Sequence, residues 1–364
     1  MNMVDGKSCK ICLLILKNAK VNNFEDYSNL IDSFAGFGYY FDKISYIAYD
    51  SSEEISRAIK DGKSNYENIV IYCPKEMEAA LKEYISKLYL SQFNEIGILK
   101  TSDKHAFMFY YNGVNRLRVE DVKNVLDAKY KLKFGRMYVR AMGAPSKAVN
   151  KTLEEMSAVC PDLRFNISKK YGDCRMEILY SVKTSKMLVD EAHRILISGL
   201  NDYIYALEDI TLAERLVQLL KLRRMKISVA ESFTGGGVGK ALVEVSGVSE
   251  VYNEGLNTYS NEAKMRRLGV RNLTLKQYGA VSEQTAYEMV QGLLNDGNCD
   301  VAVATTGIAG PKSDNTKKPV GLAYISVGTR EDISVYKFNL KGGRSDISNT
   351  ATNLALFLVY KTLK

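Results

Sequence analysis

The chain has only two histidines, His105 and His193, and none beyond residue 193. That absence excludes Ser-His and Cys-His pairs from any chemistry housed in the C-terminal part alone. Cysteine is also sparse. Six scattered thiols in 364 residues do not make a disulfide framework. Cys9 and Cys12 form a CxxC, but no second Cys/His pair follows at zinc spacing, so buried thiols are expected. Beyond residue 206 no cluster of His, Cys or carboxylates has metal-ligand spacing, and no metal or cofactor is called for. Long apolar runs are missing as well. Ile11–Leu16 is far too short to span a bilayer, and the charged residues before it do not make a signal peptide, so a cytoplasmic protein with no membrane partner is expected.

What is present is ordinary globular composition, 46% hydrophobic and 25% charged. The length suits two or three domains. A net charge of +8, spread along the chain, fits anionic small molecules as well as nucleic acid and does not decide between them.

The pattern predicts an α/β protein of three domains. Over 1–133, apolar runs of strand type (Ile11–Leu16, Ile44–Ala48, Ile69–Cys73, Ile96–Leu99, Ala106–Tyr111) alternate with helical spacing at Asp26–Phe37, Ser52–Asp61 and Lys75–Tyr89. That βαβ rhythm predicts a parallel sheet. The loops after its strands carry neither a Gly-rich cradle nor paired acids. Residues 134–205 read as a small β-α-β-β-α module, but the GxxG loop with which a KH domain clamps nucleic acid is absent, and a nucleic-acid role is disfavoured. Residues 206–364 read as an α/β sandwich with glycine-rich loops after its strands.

In that last part, the strand ending at Ala230 runs into Glu231-Ser232-Phe233-Thr234-Gly235-Gly236-Gly237. A strand that breaks into such a turn lifts a side chain out of the core and gathers backbone N–H groups, which can hold a phosphate or an oxyanion. With histidine absent, a serine nucleophile needs lysine or tyrosine as proton acceptor. Tyr259 and Lys264 are the candidates. Tyr259 is expected at a strand end, and Lys264 about one turn into a helix that Ser260 would cap. A lysine base must be neutral, which requires burial or a neighbouring cation. Arg344 could be that cation, or a fork for phosphate. The plainer readings are a helix cap for Ser232 and a surface charge for Lys264.

Four stretches, Ala230–Gly236, Thr258–Lys264, Gly279–Glu283 and Thr306–Pro311 with Lys318-Pro319-Val320-Gly321, closely resemble the C-terminal domain of the CinA family (competence/damage-inducible protein A). The resemblance implies a PncC-type nicotinamide-nucleotide amidase, which converts nicotinamide mononucleotide to nicotinic acid mononucleotide and ammonia. It places the nucleophile at Ser232, its partners at Tyr259 and Lys264, and an arginine at Arg344. On that basis Lys264 takes the Ser232 proton, with Tyr259 as a possible relay, and N–H groups of Thr234, Gly235 and Gly236 meet the oxyanion. Thr306, Gly307, Ala309 and Gly310 let backbone approach the nucleotide. Three departures stand out: Phe233 where cysteine is common, Asn257, and the loop 312–317. The alternative is a catalytically silent nucleotide-binding scaffold.

Upstream, the order of parts resembles full-length members, implying a degenerate molybdopterin-binding-like domain and a KH-type middle domain. The loops linked to ADP-ribose pyrophosphatase activity are missing, so that activity is expected to be absent. The resemblance also implies a homodimer or higher homo-oligomer.

Overall fold

A computed structural model describes residues 3–4, 7–17, 25–48, 50–111, 114–130, 134–313 and 318–364. The chain is a mixed α/β protein whose residues divide into two compact units, one of 1–135 with 179–184 and one of 136–178 with 185–364.

In unit 1 a short ribbon, β1 (Met3–Val4) and β2 (Lys7–Ser8), precedes a five-stranded sheet. Its strands are β3 (Ile11–Lys17), β4 (Lys43–Ala48), β5 (Asn68–Cys73), β6 (Ile98–Lys100) and β7 (His105–Tyr110), in the order β4-β3-β5-β7-β6. Four strands are parallel, as the βαβ rhythm predicts, whereas β6 closes the edge antiparallel to β7. β3, β5 and β7 are almost wholly buried, matching their unbroken apolar runs. The helices are α1 (Glu25–Gly36), α2 (Ser52–Asn65), α3 (Glu78–Tyr89) and α4 (Val119–Tyr130). Helix α4 is not in the sequence reading, although Val122, Leu126 and Tyr130 recur at four-residue spacing and are its buried face.

Next come β8 (Phe134–Met142), α5 (Ser146–Val159), β9 (Arg164–Lys170), β10 (Asp173–Ser181) and α6 (Lys186–Leu200), which belong to unit 2 except for residues 134–135 and 179–181. The sequence expectation lacks β11 (Ile204–Ala206), which pairs with β8 and makes the sheet β11-β8-β10-β9. Arg140 donates to Tyr205 Oη at 3.0 Å and pairs with Asp173, while Arg175 forks onto Asp209 at 2.9 and 2.7 Å. Asp209 stands just before α7 (Leu212–Arg223), and Met142, Tyr205 and Ala206 share one core with the sandwich beyond. The middle module is thereby tied to the sandwich as one unit.

The sandwich sheet has the order β13-β12-β14-β15-β16, with β12 (Ile227–Glu231), β13 (Tyr252–Asn257), β14 (Val301–Gly307), β15 (Leu322–Thr329) and β16 (Ile333–Asn339). β13, β12 and β14 are parallel, and β15 and β16 return antiparallel. Strand alternation puts Ile227, Val229, Val301 and Val303 in a core with α7, α8 (Gly237–Val243) and α12 (Arg344–Leu363). Ala230, Ala302 and Ala304 face the other way, into a core with α9 (Asn261–Leu268), α10 (Asn272–Tyr278) and α11 (Glu283–Asn295). Thr211 and Glu214 form a capping box at the start of α7, with bonds of 2.6 and 3.2 Å in the two directions, worth about 1 kcal/mol.

Two local expectations need correcting. The strand expected to end at Tyr259 is β13, which ends at Asn257, because this edge strand alternates half-buried Tyr252, Glu254 and Leu256 with exposed residues and has no apolar run. Helix α10 escapes sequence reading because it is only seven residues long and has no side-chain N-cap.

Candidate active site

The chain leaves β12, passes through α8 and forms β13 on one side, then returns to form β14 on the other side of β12. The C-terminal end of β12 is thus a topological switch point, where open α/β sheets leave a crevice for ligands. Ser232 is the first residue past that end, and Thr306 and Gly307 end β14 beside it. The Ser232 N–H donates to Thr305 O at 3.0 Å, continuing the ladder one step beyond the strand. A cavity of about 310 Å³ opens there, lined by Ser232, Phe233, Tyr259, Lys264, the 306–310 loop and Arg344 among others.

Ser260 caps α9 through a 3.1 Å bond from Ala263 N, so the helix starts where the sequence places it. Lys264, in its first turn, points inward and is 1% exposed. Its Nζ donates to Ser232 Oγ at 3.0 Å, to Thr258 O at 2.8 Å and to Tyr259 O at 3.1 Å. Among the described residues no carboxylate offsets its charge, and burial lowers its pKa from 10.5 to about 8. The surface-charge reading of Lys264 is therefore overturned. Burial accounts for the shift without Arg344 as a tuning cation.

Tyr259 lines the cavity, but its side chain is 63% exposed and its hydroxyl accepts from Arg344 Nη2 at 3.4 Å. With Lys264 directly on Ser232, a phenolic relay is not required. Tyr259's contact with Lys264 runs through its backbone carbonyl. Arg344 is the first residue of α12 and also donates to Gly310 O at 2.6 Å, which holds the 306–310 loop at the rim.

The family model described as the CinA C-terminal domain matches residues 209–363. The chain belongs to the CinA family. A CinA-like protein of Kosmotoga olearia is 44% identical over 164 residues, 45% of this chain and 40% of that protein. One of Endomicrobium trichonymphae is 32% identical over 312 residues, 84% of this chain and 65% of that protein. The solved structure of the competence/damage inducible protein CihA from Agrobacterium tumefaciens is 38% identical, covering 42% of this chain and 93% of that one with a TM-score of 0.40. The chain spans about half the length of the curated relatives it matches.

The glycine turn of this CinA domain departs from expectation. Gly235 N–H donates to Ser232 O at 3.1 Å and Gly236 N–H to the Glu231 carboxylate at 3.1 Å, so neither is open to an oxyanion. Neither residue lines the cavity. Thr234 Oγ1 is occupied by Thr305 Oγ1 at 2.7 Å. Among the described residues, the N–H groups of Phe233 and Thr234 have no protein acceptor, and of the two residues only Phe233 lines the cavity. Gly235 and Gly236 sit at φ of +64° and +98°, a bend other residues rarely adopt.

The wall opposite is also built by named contacts. Thr306 Oγ1 donates to Ala280 O at 2.7 Å, so its hydroxyl positions the wall. Lys318 reaches Tyr278 O and Val281 O at 2.7 and 2.6 Å. A Cβ on Gly307 would come within 2.9 Å of the Phe233 ring, which explains glycine there and makes Phe233 a wall of the site. Ala309 lines the same side. Of the altered loop 312–317, Lys312 and Ser313 line the cavity, and 314–317 lie outside the described residues. Sequence reasoning missed Glu231, Phe233 and Lys318 as working parts. The available signal was their place inside the quoted motifs.

Proposed function

We propose that this domain is an amidohydrolase that releases ammonia from the carboxamide of nicotinamide mononucleotide through Ser232 and Lys264. The observation that carries the reading is the 3.0 Å contact between Ser232 Oγ and a lysine whose burial brings its pKa to about 8. At pH 7 about a tenth of Lys264 is neutral, against a few parts in ten thousand for an exposed lysine. The neutral amine accepts the Ser232 proton as Oγ attacks the carboxamide carbon. The N–H of Phe233, which lines the cavity beside Ser232, meets the oxyanion. As the C–N bond breaks, the Lys264 ammonium returns its proton to the leaving nitrogen, and ammonia departs. Water then adds to the ester with Lys264 again as base, freeing the acid and restoring Ser232.

The charge of the cavity supports a phosphorylated substrate. Lys264, Lys312 and Arg344 line it, and among the described residues no acidic side chain does. Arg344 and Lys312 take the phosphate as fork and point charge. Incubation with nicotinamide mononucleotide should release ammonia and nicotinic acid mononucleotide, and Ser232→Ala should abolish the release. Tight nucleotide binding without ammonia release from the wild-type protein would instead support the silent scaffold.

A further inference from the structure

Glu231 directly precedes Ser232 and is 2% exposed. Its carboxylate accepts from Gly236, Val238 and Gly239 N–H at 3.1, 3.0 and 2.8 Å, and no ion pair accompanies it among the described residues. A helix start is ordinarily capped by the side chain of its own N-cap residue. Here that residue is Gly236, which has none, and the capping group is supplied from five residues upstream. The backbone of Glu231 is anchored independently. Its carbonyl accepts from Thr258 N at 2.7 Å, and it sits in register with Asn257 and Thr305. One side chain thus spans the turn from the end of β12 to the first turn of α8, with the nucleophile inside the span.

We infer that Glu231 is a positioning residue for the Ser232 centre. Its carboxylate sets the bend at 235–239, and that bend leaves the Phe233 N–H, at the cavity wall, free for the oxyanion. The carboxylate also places negative charge on the N–H groups of Gly236, Val238 and Gly239, so a substrate phosphate is directed to the Arg344 side of the cavity and the carboxamide to Ser232. This inference rests on the nucleophile reading of Ser232.

The test uses Glu231→Gln and Glu231→Ala in the full chain, with two readouts. One is labelling of Ser232 by a fluorophosphonate, and the other is ammonia release from nicotinamide mononucleotide. A displaced oxyanion donor should slow labelling and lower kcat roughly 100-fold, with KM within about threefold of wild type. Sodium formate, which returns the missing carboxylate, should restore Glu231→Ala about tenfold and raise its melting temperature, with no effect on wild type. Wild-type rates in either variant would overturn the inference, as would a folded Glu231→Ala that formate does not restore. Should Glu231→Ala not fold, Glu231→Gln decides by the same rates. A wild type that is labelled but releases no ammonia removes the amidase reading and leaves labelling to decide on Glu231. A wild type that is not labelled removes the nucleophile, and this inference with it.

Discussion

The two units use one sheet plan to different ends. In both, a first strand sends its successor to one side and its third to the other, giving β4-β3-β5 in unit 1 and β13-β12-β14 in unit 2. In both, polar side chains are buried near strand ends, but at opposite ends. Unit 1 buries Asn68 and His105 at the starts of β5 and β7, where Asn68 bonds His105 Nδ1 and Tyr130 Oη at 2.9 Å each. Unit 2 buries Ser232, Lys264 and Thr306 at the finishing ends of β12 and β14. Finishing ends face the crevice of such sheets, while starting ends do not. Buried polarity at the first kind of place is read here as chemistry, and at the second as structure.

The sharpest way to break this contrast is Lys264→Met. Ammonia release should fall at least about 10⁴-fold, while the protein becomes more stable. The folded-state pKa of Lys264 lies below its unfolded value, so the folded state carries the full cost of a buried ammonium below pH 8, and the cost is relieved as pH rises from about 8 to 10.5. At pH 7 methionine removes that cost, a gain of about 3 kcal/mol readable by denaturant unfolding. Loss of both activity and stability would make Lys264 a structural residue.

Arg344→Ala is next. With its fork on the rim removed, KM for the mononucleotide should rise roughly 10- to 100-fold with kcat changed far less. An unchanged KM would move the phosphate elsewhere.

Unit 1 answers differently. Burial lowers His105 from 6.5 to about 4, so the unfolded chain binds its proton first. Stability is therefore full above pH 6.5 and is lost as pH falls towards 4, by about 3 kcal/mol in total. His105→Gln should flatten that acid limb in unfolding experiments and leave ammonia release at pH 8 unchanged. A fall in turnover at pH 8 would give the unit 1 cluster a part in the chemistry.

The smallest effect is expected from Tyr259→Phe. Its hydroxyl meets Arg344 and not Ser232, and its contact with Lys264 is through the backbone, so kcat should change by less than about threefold. A hundredfold loss would restore the relay.

Much of the site is legible before folding, because its constraints are local. The Ser260 cap four residues before Lys264 sets the start of α9 and the turn on which the lysine lies, and the lack of histidine leaves few bases to consider. What is not legible depends on packing. The burial that lowers the pKa of Lys264 is produced by strands and loops distant in sequence. The Glu231 carboxylate takes N–H groups that an isolated glycine turn would leave open. β13 is hidden by its polar alternation, and β11 is a strand only because β8 lies beside it.

The central claim is that burial turns Lys264 into the base for Ser232, and the pH dependence of kcat/KM for ammonia release tests it most directly. The account predicts a rise of tenfold per pH unit that levels off at a midpoint near 8, as Lys264 loses its proton. A rise continuing towards pH 10.5, or a profile flat from pH 6 to 9, would contradict it.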